Sequence, residues 1–336
     1  MYHDAEANAH ATSTTHNGAR PGSPAPTGST SQPGNPIASY GRKLAQLFSI
    51  PRIRRATGAA IVCMLAQQMC GVNVLAFYGS TIFYSASNDP CAVGSDTRTD
   101  LTALWLSWGI GLSNFVFAFP AYKFIDSRGR RWLLLVTLPF LALSMLAAGL
   151  SFLIPISSAA HAPVIGIFIY VFMFFYSWGL GPVPFTISAE VQPLETRLVG
   201  MSFAVFVNLF GAGLLTLFVP SLTIAIGHPG LLGIFAGLNV VAFFLVFFFV
   251  RETAGAAVGG SSSGGMVSIS LEELNYIFNM TTKKYIEYQL NVMVPWTWRH
   301  LGKLLLFQHV DPPEKCYNWA GASEEKQGPS VTVNEV

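Results

Sequence analysis

Two long stretches of this chain contain no charged side chain, and they constrain its fold more than any other feature. Residues 132–189 form a run of 58 residues without Asp, Glu, Lys or Arg, and residues 198–250 form a second run of 53. A water-soluble domain places charges on the outer face of nearly every helix, whereas a charge at the centre of a bilayer costs several kcal/mol. The sequence therefore predicts an integral membrane protein.

The composition supports the same class of protein. Only 11% of the residues are charged, against roughly a quarter in soluble domains. The four cysteines lack the paired spacing of a disulfide framework or a metal site. We expect no metal, no cofactor and no nucleic-acid partner. A basic segment followed by a short apolar one is missing at the N-terminus, so we expect the first span to direct insertion.

Turn residues and charges divide residues 56–250 into six helices, each long enough to supply the roughly 20 residues that a bilayer core requires. The predicted spans are residues 56–86, 101–122, 132–154, 163–189 and two that share residues 198–250. The last run is too long for one crossing, and Gly227-His-Pro-Gly230 is the natural place for a turn. We predict an all-α membrane protein with six transmembrane helices.

Lysine and arginine counts in the loops predict the orientation. With six crossings, most basic residues near the spans fall on one side: Arg52, Arg54, Arg55, Lys123, Arg128, Arg130, Arg131, Arg197 and Arg251. The opposite loops carry only Arg98. Short cytoplasmic loops are rich in Lys and Arg, so we expect both termini in the cytoplasm. We expect a multi-pass protein of the plasma membrane.

The segments outside the spans are more polar. Residues 1–36 and 311–336 are predicted to be disordered, because they contain too little apolar surface to offset the entropy of ordering. Residues 37–55 are predicted to be a cytoplasmic amphipathic segment whose helix ends before Pro51. Residues 251–310 are predicted to be a cytoplasmic helical tail after a Gly/Ser linker, with a capping box at Ser270.

Amide side chains inside the apolar spans are candidate ligands for a polar solute. They are Gln67, Gln68 and Asn73 in the first span, Asn114 in the second and Asn208 in the fifth. Amides offer both donors and acceptors, which suits a polyhydroxylated solute. Buried amides also tie helices together in membranes, and for any single one of them this alternative is equally well supported. The set as a whole favours binding.

The fourth span contains a second unusual feature, two glycines and two prolines within residues 179–184. Each proline removes a backbone hydrogen bond, so this pattern predicts a broken or kinked helix. Broken membrane helices line cavities or hinges, although a kink that only shapes the bundle is the alternative.

Together, the spans, the amides within them and the motifs given next resemble the sugar porter branch of the major facilitator superfamily, especially its fungal members. The matching motifs are QQMCGVN at 67–73, DSRGRR at 126–131, GPVP at 181–184, AE at 189–190 with Arg197, and RET at 251–253 before LEEL at 271–274. Their order and spacing match the second half of that fold over roughly residues 40–300. The resemblance implies transport of a sugar, a hexose or related polyol, by alternating access between two six-helix halves.

The resemblance also assigns roles to individual residues. It implies substrate contacts for Gln67, Gln68, Asn73, Tyr78, Asn114, Phe185 and Asn208. It implies a charge network that gates the cytoplasmic side, made of Asp126, Arg130, Arg131, Glu190, Arg197 and Glu252. Anchoring by the positive-inside rule explains the arginines alone, but it explains two acids at span exits poorly. The expected partners are a sugar, the lipid bilayer and an N-terminal half or a full-length porter, with protons as a further candidate.

Several departures from the family pattern concern the substrate. Phe185 stands where many members have Trp, Ser177 where some animal members have Glu, and Phe77 where a Tyr is common. The element after the last span differs at Arg251 and Ala254.

The alternatives to a transporter half are a transport-inactive remnant or regulator of full-length porters, a membrane enzyme, and a channel. The enzyme is disfavoured because no catalytic pattern lies at a membrane boundary, and the channel because no charges line the spans.

Overall fold

The computed structural model describes residues 36–87, 97–155, 158, 160–253, 278–296 and 299, and all regular structure in these residues is helical. The predicted disordered tails, the Gly/Ser linker, Cys91 and the capping box at Ser270 lie outside the described residues. The helices are α1 (Pro36–Ser49), α2 (Pro51–Met69), α3 (Val72–Ser87), α4 (Thr97–Arg128), α5 (Arg130–Ser151), α6 (His161–Trp178), α7 (Val183–Glu190), α8 (Arg197–Phe249) and α9 (Thr282–Tyr288), which a π-helical turn (Gln289–Met293) continues.

Five helical segments of the described chain are long and apolar enough to cross a membrane: Pro51–Ala86, Leu101–Ala121, Arg130–Ser151, His161–Glu190 and Arg197–Phe249. The all-helical membrane fold that the sequence predicts is therefore confirmed.

The fifth of these segments is a hairpin of two spans. Its 53 residues would form a straight helix of about 80 Å, far longer than a bilayer core of about 30 Å. At Gly227 the backbone leaves the helical region, with φ 72° and ψ 175°. This residue is the first of the stretch 227–230 in which the sequence predicts the turn, and glycine adopts a positive φ without steric cost.

Contacts on either side of Gly227 show that the chain reverses there. Before the turn, Asn208 bonds to Met64 of α2 and Thr216 bonds to Tyr78 of α3, so α8 runs parallel to α2 and α3. After the turn, Asn239 bonds to the carbonyl of Cys70, while Phe249 borders a cavity with Gly58 of α2. The second part of α8 therefore runs antiparallel to α2.

The first predicted span contains a break that the sequence did not indicate. Between α2 and α3, Gly71 has a φ of 86°, and a Cβ placed there would lie 2.9 Å from atoms of Met145 and Phe235. Glycine at this position lets the backbone turn while α5 and α8 pack closely against it.

Candidate substrate site and charge network

The break between α6 and α7 provides acceptors for the first amide of the predicted site. Leu180 cannot form a normal helical hydrogen bond with residue 184, because Pro184 has no N–H group. Instead, Nε2 of Gln67 donates to the carbonyl oxygens of Leu180 at 2.7 Å and Gly181 at 3.1 Å, and to the hydroxyl of Tyr176 at 3.2 Å. The side chain of Gln67 on α2 thus satisfies the backbone carbonyls that the predicted break leaves free.

Four of the predicted amides form one continuous chain of hydrogen bonds. Asn208 donates through Nδ2 to Oε1 of Gln67 at 2.6 Å and to the carbonyl of Met64 at 3.2 Å. Gln68 donates through Nε2 to Oδ1 of Asn208 at 2.9 Å, and Asn73 donates to Oε1 of Gln68. The chain therefore joins α2, α3 and the first part of α8.

The two ends of this amide chain differ in their remaining hydrogen-bonding capacity. At the inner end, the amide nitrogens of Gln67 and Asn208 are each committed to at least two acceptors, and both residues are buried. At the outer end, Asn73 is only half-buried, and its Oδ1 has no partner among the described residues. Because a solute needs groups that are not already paired, the outer end is the better candidate for contact with a ligand.

The other predicted substrate residues lie apart from the amide chain. Asn114 of α4 accepts a hydrogen bond from Ser177 of α6 at 2.7 Å. Tyr78 donates to the carbonyl of Thr216 at 2.7 Å. Phe185 lies on α7 with 38% of its side-chain surface exposed. Ser177, one of the residues that depart from the family pattern, therefore orients Asn114.

Glu252 binds the backbone at the start of α5. Its carboxylate accepts the backbone N–H groups of Arg130 at 2.9 Å, Arg131 at 3.1 Å and Trp132 at 3.3 Å. The first N–H groups of a helix have no partner within it, and a negative charge there is favoured by the helix dipole. Gly129 has a φ of 98°, and a Cβ at this position would lie 2.8 Å from the carboxylate. The glycine therefore makes room for the acid.

An ion pair connects α5 to the end of α7. The guanidinium of Arg130 lies 2.9 Å from Oε1 of Glu190, and both side chains are partly buried. The other oxygen of Glu190 accepts a hydrogen bond from the hydroxyl of Thr253 at 2.8 Å. Thr253 was not a predicted site residue, although its place beside Glu252 in the RET motif was a signal for it.

The remaining predicted gate residues lie in different surroundings. Arg131 is buried and donates to the carbonyl of Phe247 and to Oε1 of Gln289, both at 2.9 Å. Nε of Arg197 is buried without a hydrogen-bond partner among the described residues. Asp126 lies in the last turn of α4, and its side chain is outside the described part. Among the predicted gate residues, the structure thus brings the side chains of Arg130 and Glu190 into an ion pair.

A match to a family model identifies the class of protein that this fold and site define. Residues 25–259 match the family described as "Sugar (and other) transporter". This is well over half of the chain, and the chain belongs to this family.

Similar proteins include transporters from a plant and from an insect. The chain is 34% identical over 212 residues to "Probable polyol transporter 6" of Arabidopsis thaliana, covering 62% of this chain and 41% of that protein. It is 30% identical over 223 residues to "Facilitated trehalose transporter Tret1" of Bombyx mori, covering 65% of this chain and 41% of that protein. The chain thus spans less than half the length of these curated relatives. Their names confirm the prediction that the chain is not an enzyme.

Solved structures support the fold. The proton:xylose symporter XylE of the major facilitator superfamily, bound to 6-bromo-6-deoxy-D-glucose, matches with a TM-score of 0.51 and 21% identity over 71% of this chain and 44% of that one. A double Trp mutant of XylE matches with a TM-score of 0.52 and 18% identity, over 72% of this chain and 48% of that one. The helices therefore have the arrangement of part of a major facilitator fold.

Proposed function

We propose that this chain supplies the substrate-binding half of a transporter for a sugar, a hexose or related polyol, that works by alternating access. The observation that carries the proposal is the amide chain from Gln67 to Asn73, which lies within an apolar bundle and ends at an Oδ1 of Asn73 that has no partner among the described residues. A polar network inside a membrane protein is costly unless it is satisfied or functional, and only its inner end is fully satisfied here. The names of the relatives support a sugar or polyol as the solute.

The outer end of the amide chain defines which groups would meet the solute. Oδ1 of Asn73 would accept a hydrogen bond from a hydroxyl, while Gln68 fixes the amide of Asn73 from behind. Asn114, held by Ser177, supplies a second amide on α4. Phe185, partly exposed, offers an aromatic face to the apolar side of a pyranose ring. In this proposal, Gln67 and Asn208 position the binding groups and do not contact the sugar.

The proposed mechanism needs a second half, because the site of such transporters lies between two six-helix units. We propose that this chain assembles with an N-terminal half or with a full-length porter in the plasma membrane, with both termini in the cytoplasm. The spans predicted from the sequence contain no Asp or Glu, and Glu190 lies at the end of the fourth. If transport is coupled to protons, the carboxylate that carries them belongs to the other half.

The charge network would act as the cytoplasmic gate. The Arg130–Glu190 pair joins α5 to α7, and α7 follows the break that holds Gln67. Movement of α7 during opening would therefore change both the ion pair and the position of the amide chain. This connection between gate and site is what alternating access requires.

Sugar binding by alanine variants tests the proposal. We expect Asn73→Ala to weaken binding of a labelled hexose or polyol at least tenfold, about 1.4 kcal/mol, without loss of thermal stability. Gln67→Ala should instead lower stability, because it frees the carbonyls of Leu180 and Gly181. Asn291→Ala, at an exposed position after α9, is the matched control.

Uptake in transporter-deficient cells, with the chain expressed alone and with an N-terminal half, is the second measurement. Uptake that requires the added half and is lost in Asn73→Ala supports the proposal. If Asn73→Ala binds and transports as well as the wild-type chain, the site assignment is wrong. Absence of uptake together with altered transport by a co-expressed full-length porter would instead support the remnant or regulator that the sequence leaves as the alternative.

A further inference from the structure

A second site lies where α2 begins, α8 ends and the C-terminal segment crosses them. These three parts of the chain line an open cavity of about 390 Å³. Three arginines line it: Arg54 and Arg55 of α2, and Arg251 after α8. No acidic residue is among the described residues that line it, so this described lining is basic.

The C-terminal segment places two of these arginines. Arg55 donates through Nε to the carbonyl of Phe278 at 2.9 Å and through Nη2 to that of Asn279 at 3.0 Å. Arg251 is buried, donates to the carbonyl of Met280 at 3.0 Å and lies 4.9 Å from the ring centroid of Tyr285. The groups that Arg55 contacts are neutral backbone carbonyls, which orient its guanidinium without neutralising its positive charge.

The position of the cavity along the helices is the boundary between membrane and water. Arg54 and Arg55 precede the apolar part of α2, and Arg251 comes two residues after α8 ends at Phe249. The rest of the lining is mostly apolar and includes Ile61, which lies about 10 Å deeper along α2 than Arg54. Phe249 is 43% exposed. The arginines lie on the water side of an apolar lining, and the phosphate of a lipid likewise lies on the water side of its acyl chains.

We propose that this cavity binds the headgroup of an anionic phospholipid. The phosphate would lie against Arg54 and Arg55, near the hydroxyl of Thr282, and the glycerol and first acyl carbons would lie along Ile61, Val62 and Phe249. Soluble phosphate shares the charge chemistry but not the apolar contact. An anionic lipid would then join α2, α8 and the C-terminal segment at one point.

Native mass spectrometry of the purified full chain in detergent tests this site, with phosphatidylglycerol and phosphatidylcholine of the same acyl chains as probes. We expect the wild-type chain to retain phosphatidylglycerol preferentially. Arg54→Gln, at an exposed side chain, should reduce that preference about fivefold, which corresponds to about 1 kcal/mol for one removed charge. Arg42→Gln on the exposed face of α1 removes the same charge outside the cavity and should leave the preference unchanged.

A second variant fills the cavity without removing charge. A Cβ at Gly58 would meet no atom within 4 Å, so Gly58→Leu should fold and occupy the space for the headgroup. We expect it to lose the preference for phosphatidylglycerol. Gly41→Leu, also open at Cβ but on α1, is the matched control.

Three outcomes would overturn the proposal. Equal retention of both lipids by the wild-type chain would show that no anionic headgroup is selected. A preference that survives both Arg54→Gln and Gly58→Leu would show general attraction to negative lipids. Displacement of phosphatidylglycerol by inorganic phosphate at similar concentration would show a site for free phosphate.

Discussion

At the scale of single residues, Gln67 and Glu252 each supply a hydrogen-bond partner to backbone groups that lack one within their own helix. Gln67 donates to a carbonyl that Pro184 leaves without its helical partner, and Glu252 accepts the first N–H groups of α5. A buried backbone group without a partner costs free energy comparable to a lost hydrogen bond. Each side chain therefore stabilises a helix break or a helix start, and the apolar surroundings increase the effect.

We expect Glu252→Ala to lower the stability of the chain by about 1–2 kcal/mol, because a helix start loses its cap and its favourable charge. Glu252→Gln keeps an acceptor oxygen and should lose less. Thermal unfolding in detergent, followed by size-exclusion chromatography, measures both. Glu287→Ala, at an exposed position on α9, is the control. A Glu252→Ala variant as stable as that control would show that water replaces the carboxylate without cost.

At the scale of helices, two glycines with positive φ end straight segments, but their surroundings differ. Gly71 separates α2 from α3 and has Met145 and Phe235 within 2.9 Å of an added Cβ. Gly227 divides α8, and the nearest atom to an added Cβ, on Pro229, is 3.5 Å away. A side chain at either site would have to adopt a positive φ, whereas a close steric contact arises only at Gly71.

We therefore expect Gly227→Ala to cost about 1–3 kcal/mol from backbone strain alone, because its φ and ψ lie in a region that only glycine adopts readily. Gly71→Ala should cost a further 1–3 kcal/mol or so, because Met145 and Phe235 would have to move in a packed interior. Thermal unfolding of the two variants side by side measures the difference. Equal losses would mean that the packing around Gly71 relaxes freely.

The ion pair between α5 and α7 can be tested by charge reversal. Glu190→Arg should shift the assembled transporter toward the inward-open state, measured by labelling of single cysteines from the cytoplasmic side. Adding Arg130→Glu should restore the balance only in part, because Glu252 lies at the same helix end. Water still reaches this partly buried pair and screens it to about 1 kcal/mol, so the shift should be modest. If Glu190→Arg causes no shift, the pair serves only to anchor the helices.

At the scale of the whole molecule, one face of α4 stands out because its side chains contact little of the rest of the described chain. Its large apolar residues recur every three or four positions and form one stripe: Trp105, Trp108, Leu112, Phe115 and Phe119. Asn114, half-buried, lies beside this stripe. A polar group suits lipid poorly, so this face is a candidate for contact with another protein half.

Photo-crosslinking locates that contact. With a photoreactive phenylalanine analogue at Phe115 of α4, we expect a crosslink to a co-expressed N-terminal half. The same analogue at Leu143, exposed on α5, should crosslink to lipid only, since it lies on a different helix surface. Equal yields from both positions would contradict an interface on α4.

The sequence by itself determined the membrane class, the reversal at Gly227 and the break after Ser177, because each depends on local composition: apolar length, glycine and proline. It also singled out the amides and the acids at the span exits. It did not show the break at Gly71, where a single glycine in an apolar helix gives no distinct signal. Only the tertiary structure decided that Gln67 and Asn208 are satisfied within the bundle while Asn73 keeps an unpaired oxygen, and that Glu252 caps α5. The reason is physical, since a polar side chain has many candidate partners along the chain, and packing brings only a few within hydrogen-bond distance.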